Sequence, residues 1–119
     1  MSTHPQIKNI LLRTLSIIEN PDNWTKNYAA RDKNDKYISA EDPKAVKYCL
    51  LGALWKASSQ LFPVETKARA REEATYKIKN ILYKLDRKYK DLNLGVFNDA
   101  PETTHEDVIT ILNTTIESL

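Results

Sequence analysis

The chain of 119 residues has one cysteine, two glycines and no long hydrophobic run. A single cysteine excludes an internal disulfide and a zinc site built from cysteines. The glycines, Gly52 and Gly95, are isolated, which excludes the glycine-rich loops that bind nucleotide phosphates. No residues have the spacing of metal ligands and no cofactor motif is present, so we expect neither a metal nor a cofactor.

Two targeting signals are also missing. No segment approaches the ~18 consecutive apolar residues of a membrane span. The first residues, Met1 to Pro5, lack the basic and apolar regions of a signal peptide. We therefore expect a soluble cytoplasmic protein with no membrane span, although export by a specialised secretion system would leave the same pattern.

The composition, 41% hydrophobic and 29% charged, is typical of a folded globular chain, and we expect a single helical domain over residues 1–119. The net charge of +2 is unevenly distributed. Residues 67–90 contain nine Lys or Arg and three acidic residues, whereas residues 91–119 contain six acidic residues and no Lys or Arg. Either the two segments attract each other, or the first presents a basic face to an anionic partner.

Residues 42–60 are predicted to form a buried central helix. Asp42 and Pro43 suit its first turn, and apolar residues follow at helical spacing: Val46, Cys49, Leu50, Ala53, Leu54 and Ala57. Small residues form another strip on this helix, and Gly52 is one of them. Because glycine inside a helix costs about 1 kcal/mol relative to alanine, we infer that another backbone passes close to Gly52.

The rest of the chain is predicted to pack around that helix. Apolar spacing predicts three more helices, over residues 5–19, over residues 65–89 and from Thr103 or Thr104 onward. Residues 28–38 predict a β-hairpin or an ordered loop, anchored by Trp24, Tyr28, Tyr37 or Ile38. Residues 91–101 are predicted to be a connection. The expected fold class is mostly α, with about four helices around the helix over residues 42–60.

Four segments together resemble one family: Trp24-Thr25, Cys49-Leu50-Leu51-Gly52-Ala53-Leu54, Phe97-Asn98-Asp99-Ala100-Pro101 and Thr104-His105-x-Asp107-Val108. In their order and spacing they are similar to a family of short, uncharacterised bacterial and phage proteins with a domain of unknown function. The resemblance extends from Leu11 to Ile116. It implies no activity, but it points to a candidate cluster of Cys49, Asn98, Asp99, Thr104 and His105.

Two hypotheses concern Cys49. In the first, Cys49 is a thiol nucleophile, His105 is its base, and Asp99 or Asn98 orients the base. In the second, Cys49 is a packed residue, because free cysteine is among the most buried residue types and apolar surroundings make a thiol inert. We favour the packed cysteine.

The segment from Asn98 to His105 is the candidate ligand-binding surface. Asn98, Asp99, Thr104 and His105 bring donors, acceptors and a group that titrates near neutrality into one short segment, and Trp24 would add an apolar wall. The alternative is that Asn and Asp brace a turn and that threonine caps the following helix.

The predicted helix over residues 65–89 carries aromatic and basic side chains that can stack on bases and contact phosphates: Arg69, Tyr76, Lys79, Tyr83, Arg87 and Lys90. Glu72, Glu73 and Asp86 interrupt this face, so a solvated polar surface is the alternative.

Three functional hypotheses follow. The first is a small non-enzymatic binding or regulatory module with an unknown protein or small-molecule partner, because no catalytic signature stands out. The second is a thiol-dependent enzyme that uses Cys49 with His105 and Asp99. The third is a nucleic-acid binder that uses the basic face of residues 65–89.

Overall fold

The computed structural model describes residues 3–85 and 93–119. This part of the chain forms five α-helices: α1 (His4–Ile18), α2 (Leu50–Leu61), α3 (Val64–Leu85), α4 (Leu94–Asp99) and α5 (His105–Glu117). Three short strands lie between α1 and α2: β1 (Ala30–Arg31), β2 (Tyr37–Ile38) and β3 (Lys47–Tyr48). The prediction of a mostly helical fold is therefore confirmed.

The core lies between α1, α2, α3 and α5. Helix α1 begins with a capping box between Thr3 and Gln6 and buries one apolar stripe. Helix α2 supplies four fully buried apolar residues, Leu50, Ala53, Leu54 and Ala57. It is the central helix that the sequence predicts, although it is shorter.

The predicted start of that helix at Asp42 is wrong, because α2 begins at Leu50. The carboxylate of Asp42 accepts a hydrogen bond from the Lys44 amide, which stabilises a turn. The next residues pair with β1, and the amide of Val46 donates to the carbonyl of Arg31. Strand pairing thus satisfies backbone groups that a helix would otherwise satisfy.

The close backbone approach at Gly52 is confirmed. A Cβ atom on Gly52 would lie 1.9 Å from the carbonyl oxygen of Ala29. The same carbonyl accepts a hydrogen bond from the amide of Cys49. Glycine is needed here because the backbone before β1 rests directly on the first turn of α2.

The predicted hairpin is confirmed, and a third strand extends it. The antiparallel sheet has the order β2-β1-β3. Its inner row, Ile38, Ala30 and Tyr48, faces the core, whereas its outer row consists of Tyr37, Arg31 and Lys47. Since an isolated two-stranded hairpin is marginal in water, the contact of the inner row with the helices stabilises this sheet.

Two other predicted boundaries change. The connection predicted over residues 91–101 contains α4, whose first turn is capped by the side chain of Asn93. Helix α3 extends to Leu85, and the last residues of the helix predicted over 65–89 lie outside the described part of the chain. Helix α5 begins after Thr104, one of the two starts that the sequence predicts.

Candidate functional site

The side chain of Asn98 is the centre of the candidate cluster and is completely buried. Its Oδ1 accepts hydrogen bonds from the Trp24 indole Nε1 at 2.7 Å and from the Leu50 amide at 3.0 Å. Its Nδ2 donates to the Thr25 carbonyl and to Asp99 Oδ1, each at 3.0 Å. These four bonds use the full capacity of the amide. We call these five residues the Asn98 network.

The carboxylate of Asp99 extends the network to the loop that follows Trp24. Its Oδ1 also accepts a hydrogen bond from the amide of Asn27 at 2.7 Å. Asn27 has a φ of 76°, a left-handed conformation that asparagine tolerates better than most residues. The ammonium group of Lys26 donates to the carbonyl of Ala100 at 2.7 Å. The hydrogen bonds from Asn27 and Lys26 therefore hold this loop against the end of α4.

His105 is the first residue of α5, and its ring is oriented by two contacts. Nε2 lies 2.7 Å from the carbonyl oxygen of Ile18, and since a carbonyl only accepts, this nitrogen carries the proton. The ring of Trp24 lies 5.7 Å away, at an interplanar angle of 59°. The structure therefore brings Trp24, Asn98, Asp99 and His105 together.

Thr104 caps α5 in a reciprocal capping box with Asp107. Glu106 and Asp107 place two carboxylates in the first turn. Their negative charge opposes the anion affinity that an uncapped helix start would have.

Cys49 caps α2, outside the apolar stripe where the sequence places it. Its Sγ accepts a hydrogen bond from the amide of Gly52 at 3.2 Å. Burial raises the pKa of the Cys49 thiol, and the negative charge of Asp99 adds to this effect. Catalytic thiols need the opposite shift, towards the thiolate at neutral pH.

The basic face of α3 is only partly described. Arg69 and Tyr76 are exposed, Lys79 and Tyr83 are half-buried, and Arg87 and Lys90 lie outside the described residues. Arg69, Tyr76 and Lys77 line a cavity of about 520 Å³ together with Glu72 and Glu73. Charges of both signs therefore share this surface.

The outer face of the sheet carries a feature that the sequence analysis misses. The rings of Tyr28 and Tyr37 are stacked, with centroids 4.7 Å apart and an interplanar angle of 9°. Tyr37 is 68% exposed and Tyr28 is 43% exposed. The Arg31 guanidinium lies 4.8 Å from the centre of the Tyr28 ring. We call Tyr28, Arg31, Tyr37 and Lys47 the tyrosine face.

Arg31 connects this face to the Asn98 network. Its Nε donates to the hydroxyl of Thr25 at 2.8 Å, and Thr25 in turn accepts from Asn98 through its carbonyl. Two further nitrogens of Arg31 donate to the carbonyls of Asp35 and Lys26. In each strand, one residue of the outer row lies next to one residue of the inner row. This alternation is a signal in the sequence, but it indicates a shared face only when residues 47 and 48 are known to form a strand.

Comparison with protein-family models gives one match over residues 2–118, described as "Family of unknown function (DUF6197)". The chain belongs to this family. Neither the curated proteins nor the solved structures contain a match. DUF6197 membership confirms the prediction of a domain of unknown function.

Two further observations concern this DUF6197 member. Among residues 3–85 and 93–119, no three His, Cys, Asp or Glu side chains come together as a metal-binding group. No helix in the described part of the chain combines the length and the apolar character that crossing a bilayer requires.

Proposed function

We propose that this protein is a non-enzymatic binding module whose recognition surface is the tyrosine face. One contrast carries the proposal. The polar atoms of Asn98 are all engaged within the chain, whereas the stacked rings of Tyr37 in β2 and Tyr28 before β1 are exposed. Exposed tyrosine next to arginine is the composition typical of binding hot spots.

The Asn98 network is connected to the tyrosine face through Thr25 and Arg31. Asn98 binds the carbonyl of Thr25, and the hydroxyl of Thr25 accepts from Arg31. Arg31 is held by three hydrogen bonds before any ligand arrives. A side chain fixed in this way loses little conformational entropy on binding.

The position of Cys49 argues against the thiol-enzyme hypothesis. The Sγ atom is engaged as a helix cap, and burial raises the pKa of the thiol. The ring of His105 is held by the carbonyl of Ile18. To act on the thiol, the imidazole would have to leave that carbonyl, and the thiol would have to leave the cap.

Trp24, Asp99 and His105 form a second candidate contact surface. Each is half-buried and therefore keeps some accessible area. The observation that favours them is the arrangement of the Trp24 and His105 rings, 5.7 Å apart, because fixed rings offer an apolar wall to a ligand.

The reactivity of the thiol tests the proposal, because Cys49 is the only cysteine. We expect Ellman's reagent to label the native protein slowly at neutral pH and the unfolded protein rapidly, with Cys49→Ser as the blank. Rapid labelling of the native protein would favour the enzyme. A recognition surface also predicts that Tyr37→Ala leaves the protein folded and lowers its melting temperature by only a few degrees, since the lost stacking on Tyr28 is worth about 0.5–1.5 kcal/mol.

A further inference from the structure

We infer that the tyrosine face binds single-stranded nucleic acid. This inference rests on the proposed function, because it names the ligand class of the same surface. It differs from the sequence-based hypothesis, which places nucleic acid on α3.

The aromatic part of the face is suited to stacking on bases. Tyr28 covers one side of the Tyr37 ring at 4.7 Å, and because Tyr37 is 68% exposed, its other side is open. A base that stacks there extends an existing aromatic pair. Such stacking tolerates any base sequence, since every base has a π-face.

The charge around the face is complementary to a phosphate backbone. Residues 24–48 contain six Lys or Arg and four Asp or Glu. The carboxylate of Asp32 is held by two backbone amides of its own turn, that of Asp35 pairs with Lys47, and that of Glu41 pairs with Lys67. The six cations and four carboxylates leave this segment with a net charge of +2, which favours the approach of an anion.

Two of those cations line a cavity next to the hairpin turn. The cavity has a volume of about 490 Å³ and lies between residues 32–34 and 43–46, with Lys33 and Lys44 among its lining residues. A chain whose base stacks on Tyr37 would find positive charge at this end of the same hairpin. Single-strand binding surfaces combine aromatic rings with a basic groove in this way.

Helix α3 offers a weaker match to the same ligand. Tyr76 is 63% exposed and carries no stacked partner ring in the described part of the chain. Glu72 and Glu73 line the same cavity as Arg69 and Lys77. Tyr76 is therefore the matched control for Tyr37, because the two residues have similar exposure on different surfaces.

Fluorescence anisotropy with the full chain tests the inference. The probes are labelled oligothymidine and oligouridine of about 12 nucleotides, within the site sizes of known single-strand modules. We expect binding to both probes, and a slope of log K against log salt concentration near −2, as for about three phosphate contacts on a single strand. Tyr37→Ala should weaken binding about tenfold or more, as expected for the loss of one stacked base.

Three variants separate stacking from other effects. Tyr37→Phe keeps the ring and should bind within about twofold of wild type, whereas Tyr37→Leu keeps apolar area without the π-face and should resemble Tyr37→Ala. Tyr76→Ala should bind like wild type. A circular-dichroism melt of each variant shows that the fold is retained.

The inference is overturned if neither probe binds at about 10⁻⁴ M protein and low salt, where non-specific nucleic-acid binding is normally measurable. That result would leave a protein partner for the face. It is also overturned if Tyr76→Ala weakens binding and Tyr37→Ala does not. If neither oligonucleotide binds and Ellman's reagent labels native Cys49 slowly, only the ligand class is overturned. If the reagent labels native Cys49 rapidly, the proposed function is overturned.

Discussion

The indole nitrogen of Trp24 donates a hydrogen bond of 2.7 Å to the buried side-chain oxygen of Asn98, which lies 74 residues further along the chain. The same oxygen accepts from the amide of Leu50, the first residue of α2. One side chain therefore joins the loop before the sheet, the start of the central helix and the end of α4. Because the acceptor on Asn98 is fully buried and the bond from the Leu50 amide is buried with it, loss of this side chain leaves donors without a partner.

Asn98→Ala should lower the free energy of unfolding by about 3 kcal/mol or more. The substitution leaves the indole N–H of Trp24 and the amide of Leu50 without their acceptor, and each unsatisfied buried group costs about 1–3 kcal/mol. Urea denaturation measures the change. The matched control is Asn113→Ala, an exposed asparagine on α5 that should change stability by less than ~0.5 kcal/mol. Equal stability of the two variants would contradict the role given to the network.

Gly52→Ala should destabilise the protein by several kcal/mol, whereas Gly95→Ala should change its stability by less than about 1 kcal/mol. The added methyl group of Gly52→Ala would lie 1.9 Å from a backbone oxygen of Ala29. At Gly95 the nearest atom is a side-chain oxygen of Asn93 at 3.2 Å, which can shift. Thermal melts of both variants test this contrast, and similar melting temperatures would remove the argument for close backbone contact.

Cys49 should make stability fall at alkaline pH. Burial raises the pKa of the folded thiol, so the unfolded chain loses its proton first and binds fewer protons above the ordinary pKa of cysteine. This contribution is complete below that pKa and is lost as the pH rises from it towards the folded pKa. Cys49→Ala lacks the thiol, so its stability should fall less steeply.

The comparison of wild type with Cys49→Ala isolates the thiol because Tyr48, whose pKa is also raised by burial, is present in both. Denaturant unfolding at a series of alkaline pH values gives the two slopes. Parallel slopes would show that the thiol of Cys49 is not buried in solution.

Thr104→Ala should lower the free energy of unfolding by about 1 kcal/mol, the typical value of a helix N-cap. The threonine hydroxyl accepts from the amide of Asp107 at 3.1 Å, and the carboxylate of Asp107 accepts from the amide of Thr104 at 2.9 Å. Thr110→Ala, at an exposed position within α5, is the matched control. If chemical denaturation gives both variants the same stability, the capping box has no measurable role.

Local patterns in the sequence predict much of this fold. The capping box of Thr104 and the hairpin around residues 32–35 each depend on a few neighbouring residues, and a glycine inside a helix is enough to predict a close approach at Gly52. Asp42 and Pro43 have the residue types of a helix start, but the pairing of Lys47 and Tyr48 with β1 overrides that preference, so α2 begins later than the sequence predicts. Strand pairing between distant residues is not encoded in any short window.

The candidate cluster likewise combines local features that the sequence predicts with distant contacts that it does not. The sequence groups Asn98, Asp99, Thr104 and His105, and the structure adds the hydrogen bond from Trp24. The sequence alone could not reveal that Asn98 is fully bonded within the chain, because three of its four partners lie 48 to 74 residues away. It also could not reveal the stacking of Tyr28 on Tyr37, which depends on the register of β1 and β2.

The measurement that tests the central claim most directly is an NMR titration of the ¹⁵N-labelled full chain with oligothymidine. If the tyrosine face binds single-stranded nucleic acid, the largest amide shifts should fall in residues 28–37 and at Lys47, with smaller shifts at Thr25. Unchanged spectra, or shifts concentrated between Arg69 and Tyr83 on α3, would contradict the account.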